Sequence, residues 1–198
     1  DPGRISTTIA SQRFASTGKG WLASSIAEMA RSPRSTPRVR RSQRVVAEAV
    51  ASGATMYGIN TGFGKLAGVR IEDDQLAQLQ RNLLLSHATG VGEPLSLAQS
   101  RLAMALRIHN LAQGYSGVRL ALLEQAMALF NAGLVPVIPS QGSVGASGDL
   151  APLAHMALPL IGYGEVQSGG KVISGAAALK QLGRKPLLLG PKEGLALI

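Results

Sequence analysis

The stretch from Gly142 to Asp149 (GSVGASGD) concentrates small residues and hydroxyl groups just before a predicted helix. Its three glycines let neighbouring backbone approach closely, and Ser143 and Ser147 supply hydroxyls. The helix N-terminus directs backbone N–H groups and a partial positive charge towards this loop. Taken alone, the pattern is typical of a tight turn that caps a helix, and it is also compatible with a reactive loop.

Two other positions could contribute chemistry. Residues 57–68 hold four glycines in twelve positions and begin with Tyr57, whose hydroxyl is a candidate general base. A phenol is a weak base near neutral pH, so this role needs surroundings that favour the phenolate. His87 ends a predicted helix, where an imidazole can bind a substrate or cap the last turn. By residue type alone, packing over a glycine loop and helix capping are the more ordinary roles.

The glycine spacing does not match the common nucleotide-binding or nucleophile motifs. A phosphate-binding loop would need glycine at 59 and Ser or Thr at 66, where Ile59 and Leu66 stand. A nucleophile elbow would need glycine at the position of Asp149, and Gly62-Phe63-Gly64 lacks the next glycine of a dinucleotide fingerprint. The three histidines have no metal-ligand spacing, so we predict no metal site: His87, His109 and His155.

The run GSVGASGDLAPLAH, residues 142–155, resembles the signature of the aromatic amino acid ammonia-lyases. Two further segments are similar to that family and stand in the same order, YGINTGFG from residue 57 and NLLLSHATGVG from residue 82. The resemblance covers about residues 43–198. It implies the mainly α fold of the ammonia-lyases (fumarase/aspartase-like), of which this chain would be the N-terminal part, with a small β-hairpin.

The resemblance implies a prosthetic group made from the chain itself. In the family, the residues matching Ala146, Ser147 and Gly148 cyclise to 4-methylidene-imidazol-5-one (MIO), with no external cofactor. The glycine nitrogen attacks the alanine carbonyl and two waters leave. Such an electrophile is needed because the β-proton is barely acidic and no ordinary side chain is electrophilic. Asp149 is expected to support this loop.

The other two segments would supply catalytic and substrate-binding residues. By resemblance, Tyr57 is the catalytic base, and Asn60 and Gly62 support its loop. Ser86 and His87 match the substrate-selecting segment. A Ser-His pair there resembles the histidine-specific members, whereas tyrosine-specific members tend to have His-Leu and phenylalanine-specific members Phe-Leu.

The activity implied is therefore a carbon–nitrogen lyase of histidine catabolism that converts L-histidine to trans-urocanate and ammonia. Family members are cytoplasmic homotetramers built on a central helical bundle. They are considerably longer, so we expect this chain to be truncated before the bundle, with little activity alone. The alternatives are a tyrosine or phenylalanine ammonia-lyase, or a non-catalytic remnant module.

The elements that must position these residues follow from periodicity and breakers. We predict extended chain at 135–139 and a hairpin of 164–166 with 171–173. Asp73 or Asp74 is expected to cap the second helix and Ser96 to open the third. The helices are predicted at about 43–52, 73–87, 96–114, 118–132, 149–159 and 175–182.

Most of the net positive charge lies near the start of the chain, up to about residue 42. The formal net charge is +9, of which the first 45 residues carry +7, so residues 1–42 are expected to form a solvated basic arm outside the domain of 43–198. That segment has no aromatic–basic interleaving, so we predict no nucleic-acid partner. The absence of cysteine is compatible with a cytoplasmic protein, and no apolar run is long enough to predict a membrane span.

Overall fold

The computed structural model describes residues 35–144 and 148–198 and is mainly helical, as predicted. In these ranges the helices are α1 Ser35–Ala51, α2 Leu76–His87, α3 Leu97–Ala112, α4 Leu120–Asn131, α5 Leu150–Ala157, α6 Gly175–Gln181 and α7 Glu193–Leu197. The strands are β1 Val91–Pro94, β2 Val135–Pro136, β3 Pro139–Gln141, β4 Glu165–Ser168 and β5 Lys171–Ser174. The fold class and the predicted hairpin are therefore confirmed.

Helix α1 begins earlier than predicted. It spans Ser35–Ala51 and does not begin at Gln43, so position 42 falls inside it. Val39 is only 1% exposed, and the Ser42 hydroxyl accepts a hydrogen bond from the Gly117 N–H at 2.9 Å. The expectation of a solvated arm is wrong for residues 35–42, because one face of this arginine-rich helix packs on the body. The earlier part of the arm lies outside the described residues.

A side chain caps the start of α3 but not the start of α2. Ser96 and Gln99 form a reciprocal capping box at α3, as its sequence predicts. Helix α2 instead follows a 3-10 turn, Asp73–Gln75, and no side chain caps either element. The predicted cap is therefore wrong, and the Asp73 carboxylate lies 3.9 Å from the Arg70 guanidinium on the surface.

The strands form two small sheets that join distant parts of the chain. Strands β2, β4 and β5 form an antiparallel sheet in that order, with the hairpin turn at Gly169 and Gly170. Strand β1 pairs with β3, so that Val91 lies opposite Gln141. This second pairing was not predicted, because β1 is short and fully exposed and has no alternating pattern.

The core lies between α3, α4, α5 and the 3-10 turn Leu158–Ile161. Its largest fully buried side chains include Phe130, Leu122 and Ile138. An ion pair between the partly exposed Arg119 side chain and a buried carboxylate fastens α7 to this core. The Glu193 carboxylate is 1% exposed and accepts from the Arg119 side chain at 2.6 and 3.0 Å and from the Arg119 and Gly190 backbone N–H groups. Every polar atom of this carboxylate is thus satisfied, which offsets its burial.

Candidate active site

The described ends of the 142–149 loop are tied together. The Ser143 hydroxyl donates to the Asp149 carboxylate at 2.6 Å, a charge-assisted bond between residues six apart. Gly148 has a φ of +95°, and nothing lies within 4 Å of where its Cβ would be. Ala146 and Ser147, predicted to join Gly148 in forming the prosthetic group, lie outside the described residues. Asp149 precedes α5, as predicted, although its side chain binds Ser143 rather than capping the helix.

The segment of residues 82–92, which holds Ser86 and His87, packs directly on this loop. The pairing of β1 with β3 holds the chain that follows α2 beside the chain that enters the loop. At their junction, a Cβ built on Gly142 would lie 3.0 Å from both the Gly90 Cα and the Ala151 Cβ. Two backbones therefore meet with no room for a side chain between them. The structure thus brings together two of the three segments singled out in the sequence.

His155 fixes the same junction from the other side. Its Nε2 accepts a hydrogen bond from the Gly90 N–H at 3.0 Å, across 65 residues of sequence. Because that ring nitrogen is an acceptor, the neutral imidazole must carry its proton on Nδ1. Sequence reasoning treated His155 only as an apolar-face histidine of α5. The contact was not foreseeable, since it depends on how α5 crosses the end of α2.

Burial lowers the pKa of His155, which predicts a pH dependence of folding. Because the folded state holds the imidazole neutral, its stabilising contribution is present above the unfolded pKa and is lost as pH falls through the lower folded pKa. We expect this component of the wild-type free energy of unfolding to decline as the pH falls below the ordinary histidine pKa of about 6.5. In His155→Gln this component should be absent. Urea titrations at several pH values measure it, with exposed His109→Gln as the matched control. Equal slopes in all three proteins would contradict the assignment.

The His87 ring is held within α2 through one of its two nitrogens. Its Nδ1 lies 2.8 Å from the Leu83 carbonyl oxygen, which can only accept, so Nδ1 is the donor. The Ser86 hydroxyl lies 3.2 Å from the same nitrogen. His87 thus closes the last turn of α2, as a capping histidine would, and its Nε2 stays available as an acceptor. The helix-cap role and the substrate-binding role are compatible.

Tyr57 lies on the surface of the glycine-rich loop. It is 60% exposed, and its ring meets that of Phe63 edge-on with the centroids 6.0 Å apart. Fully buried Asn60 shapes the loop, since its side chain accepts from the Met56 N–H at 2.8 Å and donates to the Ala54 carbonyl at 2.9 Å. A Cβ on Gly62 would lie 2.6 Å from the Leu66 Cβ, so this loop closes tightly on itself.

The Tyr57 loop is joined to the other segments only indirectly in the described contacts. Gly58 packs on Leu195 of α7. The Leu195 N–H donates to the Gln80 side chain of α2 at 3.1 Å, two turns before the helix ends at His87. Helix α7 thus bridges the Tyr57 loop to the helix that carries the Ser86-His87 pair. The described residues do not bring Tyr57 into contact with the 142–149 loop.

The described ranges contain neither a metal-binding cluster nor a membrane-spanning helix. Within 35–144 and 148–198, no group of three or more histidine, aspartate or glutamate side chains is arranged to hold a metal ion. Over the same residues, no helix has the length and apolarity needed to cross a bilayer.

Comparison with known proteins identifies the family. The profile of the family described as aromatic amino acid lyase matches residues 21–198. The chain belongs to this family. It is 48% identical over 200 residues to a histidine ammonia-lyase of Paracidovorax citrulli, covering 100% of this chain and 37% of that protein. The family match therefore begins earlier than residue 43, the start predicted for the resemblance. The chain spans little more than a third of the length of that relative.

Solved structures of the lyase family have the same fold. Histidine ammonia-lyase from Trypanosoma cruzi matches with a TM-score of 0.77 and 38% identity, over 89% of this chain and 35% of that one. The ergothionase of Treponema denticola matches with a TM-score of 0.81 and 30% identity, over 89% of this chain and 37% of that one. The fold is thus shared by enzymes named for different substrates, and the substrate must be argued from side chains.

The aromatic amino acid lyases depend on MIO, and the described loop ends fit such a group. Ring closure needs a backbone nitrogen held near a carbonyl two residues earlier. The Ser143–Asp149 bond draws the ends of the loop together, and the left-handed Gly148 has open space around its Cα. A side chain at 148 would be strained at that φ and would stand beside the nitrogen that closes the ring.

Proposed function

We propose that this chain is the N-terminal part of a histidine ammonia-lyase, which deaminates L-histidine non-oxidatively to trans-urocanate and ammonia. One observation carries the proposal: the segment holding Ser86 and His87 is fastened to the loop of residues 142–149. Strand pairing, the contact of Gly90 with Gly142 and the hydrogen bond from Gly90 to His155 all act at this junction. The 48% identity to the Paracidovorax citrulli lyase supports the same activity.

The proposed role of His87 is to recognise the substrate ring. With Nδ1 occupied by the Leu83 carbonyl, Nε2 can accept a hydrogen bond from the N–H of an imidazole. A phenyl ring has no such donor, and it would leave a polar nitrogen unpaired. Ser86 lies beside the ring and helps to hold it.

The proposed prosthetic group is MIO formed from Ala146, Ser147 and Gly148. When formed, it supplies an electrophilic carbon that captures the substrate and makes ammonia a better leaving group. Ser143 and Asp149 hold the loop in the bend from which it closes. Tyr57 removes the β-proton, for which its exposed hydroxyl is accessible, and Asn60 and Gly62 keep its loop in shape.

Activity is proposed for the full-length lyase that carries this chain. The homotetramer and the cytoplasmic location remain proposals that rest on the family resemblance. Tyrosine and phenylalanine ammonia-lyases belong to the same family. The test below therefore compares these substrates with histidine.

Changing His87 to leucine tests the substrate. We expect kcat/KM for histidine to fall about 10- to 100-fold, because a hydrogen bond to the substrate ring is lost, while that for tyrosine stays the same or rises. Urocanate and coumarate formation are followed by their absorbance. The matched control is His109→Leu, on the exposed face of α3. An unaltered preference for histidine in His87→Leu would contradict the assignment, and a wild-type preference for tyrosine or phenylalanine would replace it.

A further inference from the structure

A second concave site lies on the side of α1. This basic cleft has a volume of about 540 Å³ and lies between α1 and the loop 113–117, with the N-terminal end of α7 as its third wall. Such a volume is in the range of small-molecule sites. The side chains that matter for its chemistry are Arg38, Arg41, Val45, Ile59, Tyr115 and Lys192.

The basic cleft is positively charged, and no carboxylate of the described residues lines it. Arg38, Arg41 and Lys192 line it, and none of the lining residues is acidic. None of these three cations takes part in the ion pairs found in the described parts of the chain. Glu193, next to Lys192, is committed to Arg119 and points into the core.

Two further observations concern Lys192. Burial and the nearby charge of Arg107 lower the pKa of Lys192, as is expected where cations crowd without a carboxylate. Among the described residues, Lys192 is also the one non-glycine residue with a positive φ, +67°. Strained backbone of this kind persists where surrounding structure imposes it, frequently at binding sites.

The walls of the basic cleft are held together by contacts within the chain. A Cβ on Gly114 would lie 2.6 Å from the Arg38 carbonyl carbon, so the loop 113–117 sits directly on the α1 backbone. The Gly117 N–H donates to Ser42 at 2.9 Å, and the Lys192 ammonium donates to the Ser116 carbonyl at 2.9 Å. A site already formed loses little entropy on binding.

We propose that the basic cleft binds a small organic anion with a phosphate or carboxylate group on a planar or apolar body. The two guanidinium groups offer forked donors that match both anionic groups. Val45 and Ile59 provide aliphatic surface, and Tyr115, 84% exposed at the rim, can stack on a planar ring. Ile59 belongs to the loop that carries Tyr57, but the proposal does not depend on the lyase activity.

Isothermal titration calorimetry of the 198-residue chain at physiological salt tests this site. The probes are adenosine monophosphate, adenosine, inorganic phosphate and benzene-1,2-dicarboxylate. We expect adenosine monophosphate or the dicarboxylate to bind more tightly than phosphate, and adenosine not to bind. The stronger of the two anions distinguishes a phosphate ligand from a carboxylate ligand.

Matched double variants separate the site from general charge. Arg38→Gln/Arg41→Gln should weaken binding about tenfold or more, whereas Arg40→Gln/Arg44→Gln removes the same charge from α1 outside the cleft and should change it less than about twofold. Arg41→Lys, which keeps the charge and loses the fork, should be intermediate. Equal losses in both double variants, or no binding of any anion at millimolar concentration, would overturn the proposal.

Discussion

Replacing Ser147 by alanine is expected to lower the lyase activity of the full-length enzyme by about 10³-fold or more. The proposed electrophile takes its methylidene carbon from this serine after loss of the hydroxyl, and alanine has no hydroxyl to lose. No other side chain can supply an electrophile of that kind. The intact mass of the purified chain measures the step directly. Wild type should be lighter than its sequence mass by two water molecules, and the variant should have the full mass.

The matched control for this prediction is Ser168→Ala, in strand β4 of the hairpin. It removes the same hydroxyl far along the chain from the loop and should keep the mass deficit. A Ser147→Ala protein that still lost two waters would refute the assignment. A wild-type chain of unmodified mass would mean that the loop does not close in this chain by itself, even though Ser143 and Asp149 are bonded.

Replacing Tyr57 by phenylalanine should lower kcat for histidine by about 10²- to 10⁴-fold, the usual contribution of a general base. The ring contact with Phe63 needs only the aromatic ring, so the fold and the KM should change little. Proton removal would then limit the rate. The kinetic isotope effect with β-deuterated histidine should therefore be larger in the variant than in wild type.

Tyr163→Phe is the matched control for the second prediction. Its ring lies 5.7 Å from the Arg81 guanidinium carbon, a contact that phenylalanine retains. The control should leave both kcat and the isotope effect unchanged. If Tyr57→Phe keeps the wild-type kcat, Tyr57 is not the base. A lowered kcat with an unchanged isotope effect would indicate that Tyr57 acts outside proton transfer.

Local sequence patterns were sufficient for most elements. Ser96 predicted the start of α3, and the glycines at 169 and 170 predicted the hairpin turn, because these signals act within a few residues. The start of α1 was misjudged. A helix with Arg38, Arg40 and Arg41 reads as a solvated arm unless one knows that Val39 faces a core built much later in the chain.

The candidate residues could be named from the sequence because they stand in contiguous motifs. Ala146, Ser147 and Gly148 must be adjacent to form one ring, and Ser86 and His87 are neighbours on one turn. What joins the motifs is non-local. The contact of Gly90 with Gly142 and the hydrogen bond from the Gly90 N–H to His155 connect parts of the chain more than 50 residues apart, and no periodicity or spacing encodes them.

The sequence by itself thus determined the family chemistry, the fold class and the order of the helices, because each depends on residues that are close along the chain. Tertiary structure alone decided which distant backbone N–H binds the His155 ring, how the segment with Ser86 and His87 meets the loop, and that three cations line one cleft with no ion pair to a carboxylate of the described residues. The physical reason is the same in each case. A hydrogen bond, a close backbone approach and an electrostatic field depend on distances in space, which are set by packing and not by position in the sequence.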